Sequence, residues 1–224
     1  MFFRSLVLFV ALAVGIALNV QGADCQLNMV DGTPAGVDAS IVKQLDPHHL
    51  RIKLDDGEDL CELWIAKTWK TGGEEGQEGD FAPIVYPLLP GGLIGVLKVS
   101  RPCVDFREQE LPAGVYTLRY ALQPDLDVHH ESHESRDFLL LLPAAEDKSP
   151  EVITDPEKLV KLSAAITLTT HPSIVPLVKP GEVDREDLLR RDEKDSEGWL
   201  LLLRGADAEG KKIPLELIVI KAAP

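Results

Sequence analysis

The chain has 224 residues and a formal charge of −14, from 37 acidic residues against 23 basic ones. That balance excludes nucleic acid and anionic membrane surfaces as partners, since both would repel it. Aromatic residues make up 5% of the chain, few for a carbohydrate-binding platform, although Trp64, Trp69 and Trp199 together would furnish one.

The first residues read MFFRSLVLFVALAVGIALNVQGAD. Arg4 precedes an uncharged apolar run from Leu6 to Leu18, about 13 residues where a membrane span needs roughly 20. Val20-Gln21-Gly22 fits the small-x-small pattern of signal peptidase, so residues 1–22 read as a secretory signal peptide. Cleavage after Ala23 is the second choice, and an uncleaved anchor is the alternative. Cys25 follows Asp24, where a lipobox wants a small uncharged residue. Residues 23–224 are then one domain, exported to the periplasm or the exterior, with no membrane span in the mature chain.

Strands dominate the mature chain. In HHLRIKLDD, Leu50, Ile52 and Leu54 alternate with Arg51 and Lys53, the period of a half-buried strand. DLCELWIAKTWK alternates in the same way, and Asp56-Gly57 between the two runs predicts a hairpin. The segment TGGEEGQEGD at 71–80 has no apolar residue and reads as an exposed loop; the ligand spacing of a calcium loop is missing. GGLIGVLKVS is another strand, broken at Arg101-Pro102.

LPAGVYTLRYAL combines a turn, a glycine and a tyrosine at the start of a strand. This pattern predicts a tyrosine corner, in which the Tyr116 hydroxyl bonds to backbone a few residues upstream and Gly114 permits a tight approach. In RDFLLLL four consecutive leucines mark a strand covered on both faces, running from about Phe138 to Leu142 and ended by Pro143. TDPEKLVKLSAAI predicts one helix over about 155–167, with Thr154 as N-cap and Glu157 completing a capping box. Leu159, Leu162 and Ile166 form its packing stripe. Residues 180–197 are charged and read as a short helix or only a loop, and GWLLLLRG with KKIPLELIVIK reads as a last hairpin in which Pro214 marks a strand start or an edge. The expected fold is mainly β: an antiparallel, immunoglobulin-like β-sandwich with one packed helix.

Three cysteines remain after the leader, an odd number. Cys61 and Cys103 each sit in or beside a strand and form the preferred disulfide; Cys25 is left over or reaches either of them. No C-x-x-C occurs, so neither a dithiol redox motif nor a cysteine zinc site is indicated.

The stretch QPDLDVHHESHESRDF holds the densest set of metal-type ligands. Asp127, His129, His130, Glu131 and His133, with Glu134, offer imidazole and carboxylate suited to zinc or copper. His129 and His133 have the spacing of a helical H-E-x-x-H, but His130 stands where the glutamate belongs. On an extended strand His129, Glu131 and His133 would share one face. The plainer reading is a solvated loop between two strands.

GVYTLRYALQP, a His-containing loop and RDFLLLLPAAED together resemble a family of secreted bacterial β-rich proteins, with a looser likeness from ELWIAK to the C-terminal hairpin. The resemblance implies an exported β-rich domain, brings no established activity, and places His129 at the single histidine of the family's loop. The glycine of that loop is absent here, and extra His and Glu replace it.

Nothing in the chain supports nucleophilic or nucleotide chemistry: there is no G-x-S-x-G and no glycine-rich phosphate loop. The expected function is a non-enzymatic binding or accessory module for an unknown protein or small-molecule ligand. The alternative is a zinc or copper protein, a hydrolase or redox protein, built on residues 127–134.

Overall fold

The computed structural model describes residues 24–72, 83–123, 135–195 and 198–223. The signal peptide expected at 1–22, most of the exposed segment expected at 71–80, and the histidine cluster lie outside them. Strand β1 (Cys25–Asp31) and the short helix α1 (Ala39–Val42) precede the hairpin of β2 (His48–Leu54) and β3 (Asp59–Ile65). Gly57, with φ of 83°, supplies the turn that Asp56-Gly57 predicts. Then come β4 (Leu93–Val99), the two-residue strands β5 (Cys103–Val104) and β6 (Glu110–Leu111), β7 (Gly114–Leu122) and β8 (Asp137–Pro143). Helix α2 (Pro156–Thr167) leads to β9 (Ile174–Val178), β10 (Leu189–Arg191), β11 (Trp199–Ala206), β12 (Lys212–Ile218) and β13 (Lys221–Ala222).

Ten of these strands form one antiparallel sheet in the order β1-β2-β3-β4-β7-β8-β9-β12-β11-β10. The sheet curls on itself into a nearly closed, barrel-like shape. Strands β13, β5 and β6 make a separate three-stranded sheet. The mainly antiparallel β character agrees with the sequence. The architecture differs from two stacked sheets, for a reason alternation cannot reveal. A curled sheet buries the same every-second residue on its inside as a pair of facing sheets would.

Four leucines in β8 show how the layers are built. Leu139 and Leu141 point into the main core, whereas Leu140 and Leu142 join a second cluster with Leu159 of α2. None is more than 1% exposed. At about 1.5–3 kcal/mol for each buried leucine, this strand anchors both the barrel interior and the helix outside it. The interior is filled by side chains: its residual void is about 20 Å³, lined by apolar residues such as Ile52, Leu118, Val175 and Leu217.

Two local expectations need correction. The N-cap of α2 is Asp155, whose carboxylate accepts from the backbone N–H of Glu157 and Lys158. Pro156 takes the first helical position, and so Thr154 lies one residue too early to cap. Pro214 sits inside β12, which runs between β9 and β11 rather than at an edge. It is tolerated because its pair with Arg204 is a non-hydrogen-bonded position of the β11 ladder, and β9 pairs with β12 only at Glu216 and Leu217.

Candidate functional site

The ends of the sheet define an open seam, because β1 and the β10/β11 edge do not pair with each other. Across β1 and β2, Gly32 N–H donates to Pro47 O at 3.0 Å, which fixes the alternation of the ladder. Val30, Asn28 and Gln26 then bond to β2, and the backbone groups of Leu27 and Met29 point away from it. On the other lip, Val219 N–H donates to Trp199 O and Leu202 N–H donates to Leu188 O. The backbone groups of Arg204 therefore face away from β12, into the seam.

Both ends of the seam are bridged. At one end Arg191 pairs with Asp24 at 2.6 Å while its guanidinium lies 4.3 Å over the Trp199 ring. At the other, Trp69 N–H donates to Ala206 O at 2.7 Å, and the indole N–H reaches Ile94 O. The Trp69 ring fits there because residue 205 is glycine: a Cβ would come within 2.5 Å of the ring.

Between the bridges lies a groove of about 810 Å³. Met29, Leu50 and Ile65 line one side, and Val183, Leu188 and Leu203 the other. Met29 is 63% exposed and Val183 37%, two of the few large apolar side chains among the described residues that meet water to this degree. Lys67, Arg204 and Lys212 also line the groove, against Asp46 and Asp184. The lining thus carries more basic than acidic side chains in a chain of net charge −14.

Elsewhere the buried charges are spent on structure. Glu62 accepts from Lys98 Nζ at 2.6 Å, His49 Nε2 at 2.8 Å and Arg51 Nη2 at 3.0 Å, so Arg51, Glu62 and Lys98 form one row across β2, β3 and β4. Burial pushes the Glu62 carboxyl up, but the three donors outweigh it and hold the group at about 2. His49 stacks on Trp64 with centroids 4.2 Å apart. Arg119, fully buried on β7, donates to both oxygens of Asp147 at 2.8 and 2.9 Å and to the carbonyls of Gly91, Ser149 and Glu151. Glu216 is likewise enclosed by Arg185, Arg190 and the Gly181 N–H. These groups cross-link strands and loops, and their acceptors are already occupied.

Tyr116 forms the corner expected from its sequence. Its Oη donates to Pro112 O at 2.7 Å, and a Cβ on Gly114 would stand 3.0 Å from that hydroxyl oxygen. Trp64 and Trp69 are buried in the core, so the three tryptophans do not form a surface platform. Cys61 and Cys103 are both buried, yet no disulfide joins them: each is a thiol, as is Cys25. Cys103 Sγ donates to Arg101 O at 3.3 Å. Burial pushes the Cys25 and Cys103 thiols up to about 11 and Cys61 higher still, which favours the protonated thiol. Asp127, His129, His130, Glu131 and His133 lie outside the described residues. Among the described residues no group of three or more His, Cys, Asp or Glu is arranged to hold a metal ion. No described helix is long and apolar enough to cross a membrane.

The groove was missed in the sequence, although a signal for it exists. In CQLNMVD the apolar Cys25, Leu27 and Met29 alternate with Gln26 and Asn28, a strand pattern free of charge up to Asp31. The opposite lip had no such signal, because it is assembled from three separate segments.

No protein-family profile, curated protein or solved structure matches the chain. What the groove can do therefore rests on its own residues.

Proposed function

We propose that the chain is an exported, non-enzymatic binding or accessory domain whose ligand occupies the seam groove. The observation that carries this reading is the exposure of Met29 and Val183 on opposite sides of one 810 Å³ concavity. Ligand sites are concave, mostly apolar and furnished with a few polar groups, and this groove has that composition. The packed barrel interior supports the same choice, since a void of about 20 Å³ holds no ligand. The occupied acceptors of Glu62, Asp147 and Glu216 favour binding over catalysis. The corner at Tyr116 is a feature shared with immunoglobulin-like domains, many of which serve as binding modules.

Titration with the apolar dye 8-anilinonaphthalene-1-sulfonate tests the reading. The native chain enhances dye fluorescence, and the variant Met29→Asp with Val183→Asp loses at least tenfold in affinity while keeping its thermal midpoint. Equal dye affinity in the two proteins removes the groove as a binding site.

A further inference from the structure

Strand β1 has the features of an edge that is meant to be covered. It is seven residues long, contains no proline, and carries no charged side chain before Asp31. Natural sheets protect exposed edges with lysines, prolines, bulges or short strands, and β1 uses none of these along its length. Its partner across the seam, β11, is also left without a neighbouring strand between Leu202, which bonds to Leu188, and Ala206, whose carbonyl accepts from Trp69 N–H. The cause is β10, which pairs with β11 only over residues 189–191, because the preceding residues 183–188 are not part of a strand.

The strand directions sharpen the point. Asp24, just before β1, meets Arg191 beside the start of β11, while Met29 shares the groove with Gly205 near the end of β11. Strands β1 and β11 therefore run in the same direction, and every neighbouring pair in the ten-stranded sheet is antiparallel. Direct closure of β1 on β11 would break that pattern. One added strand, antiparallel to both, would satisfy both lips at once.

We propose that the groove takes an extended peptide strand of about four to six residues, continuing the line of β10 and antiparallel to β1. The inference rests on the reading of the groove as a binding site and names its ligand class. Backbone groups of Leu27 and Met29 on one side and Arg204 on the other supply the ladder. Met29 and Val183 receive the apolar side chains of the peptide. Its alternate side chains are acidic, because Lys67, Arg204 and Lys212 outnumber Asp46 and Asp184 in the lining, in a chain that is otherwise strongly negative. A second copy docking through its own β1 would present CQLNMVD, which has no acidic side chain before Asp31 and so does not match that lining.

The test uses the isotopically labelled full chain and an acetylated, amidated hexapeptide of alternating valine and glutamate. The proposal predicts saturable shifts of the Leu27, Met29 and Arg204 amides. It also predicts at least tenfold weaker binding when lysine replaces glutamate in the peptide, and again when alternate peptide nitrogens are methylated. Equal binding of the methylated peptide overturns it, because the ladder is then not used. Dimerisation that protects Leu27 and Met29 also overturns it, in favour of a second copy. If the dye binds in the groove and the peptide does not, the ligand class falls while the binding site stands. If neither binds, both fall.

Discussion

Met29 on β1 and Leu50 on β2 sit directly opposite each other in the sheet, yet Leu50 is 4% exposed and Met29 is 63% exposed. They share a face, the one that elsewhere lines the packed interior. The difference arises because the sheet ends at β1, and nothing from β11 reaches across to cover Met29. The pair should therefore respond to truncation in opposite ways. Leu50→Ala costs about 2–5 kcal/mol through lost burial and the cavity it leaves. Met29→Ala changes stability by less than about 0.5 kcal/mol. Urea unfolding of the two variants measures both.

Tyr116→Phe removes only the hydroxyl that donates to Pro112 O. Its ring remains packed, so the loss is that of one buried hydrogen bond, about 1 kcal/mol in an equilibrium unfolding experiment. An unchanged midpoint would mean that the corner contributes nothing.

Arg119 joins β7 to the segment 147–151 through Asp147 and the carbonyls of Ser149 and Glu151, and to the turn before β4 through the Gly91 carbonyl. Arg119→Ala leaves the Asp147 carboxylate buried without its partner and costs about 3–5 kcal/mol. The double variant Arg119→Met with Asp147→Leu recovers much of that loss, because no uncompensated charge remains. Thermal or urea denaturation of the single and double variants separates the two cases.

Much of the fold could be read from the residues alone. The β2–β3 hairpin, the doubly covered strand β8, the helix α2 and the last hairpin arise from period and turn chemistry, which are local properties. Pairing of distant strands is not local. Nothing in LIGVLKV or GWLLLLRG states that one sheet runs through both, so the curl into a barrel-like shape was invisible. Strand β9 was missed because IVPLV is short and contains Pro176, and β10 because charge masks its three residues. The groove could not be foreseen for the same reason: it exists only where β1 and β11 approach without pairing.

Glu62 should give the chain an acid-dependent component of stability. Its folded-state value of about 2 lies below the ordinary 4.5, so the ionised form is stabilised by folding. That contribution is complete above about pH 4.5 and is lost as the pH falls towards 2. Glu62→Gln is therefore less stable than the native chain by about 1–3 kcal/mol at pH 7. The gap closes between pH 4.5 and 2. Urea midpoints of both proteins across that range provide the check.

Gly205→Ala tests the bridge that closes one end of the seam. The new methyl meets the face of the Trp69 ring, and relieving the overlap costs about 1–3 kcal/mol. Fluorescence of Trp69 should move to longer wavelength as the ring is displaced. A native spectrum together with native stability would show that the ring does not pack on residue 205.

The central claim is that β1 is an open edge of a nearly closed ten-stranded sheet. Residue-resolved hydrogen exchange of the monomer at neutral pH tests it most directly. The account predicts alternation along β1, with slow exchange at Asn28 and Val30, whose amides face β2, and fast exchange at Leu27 and Met29, whose amides face the seam. Equal, strong protection at all four amides would contradict it, since the edge would then already be paired.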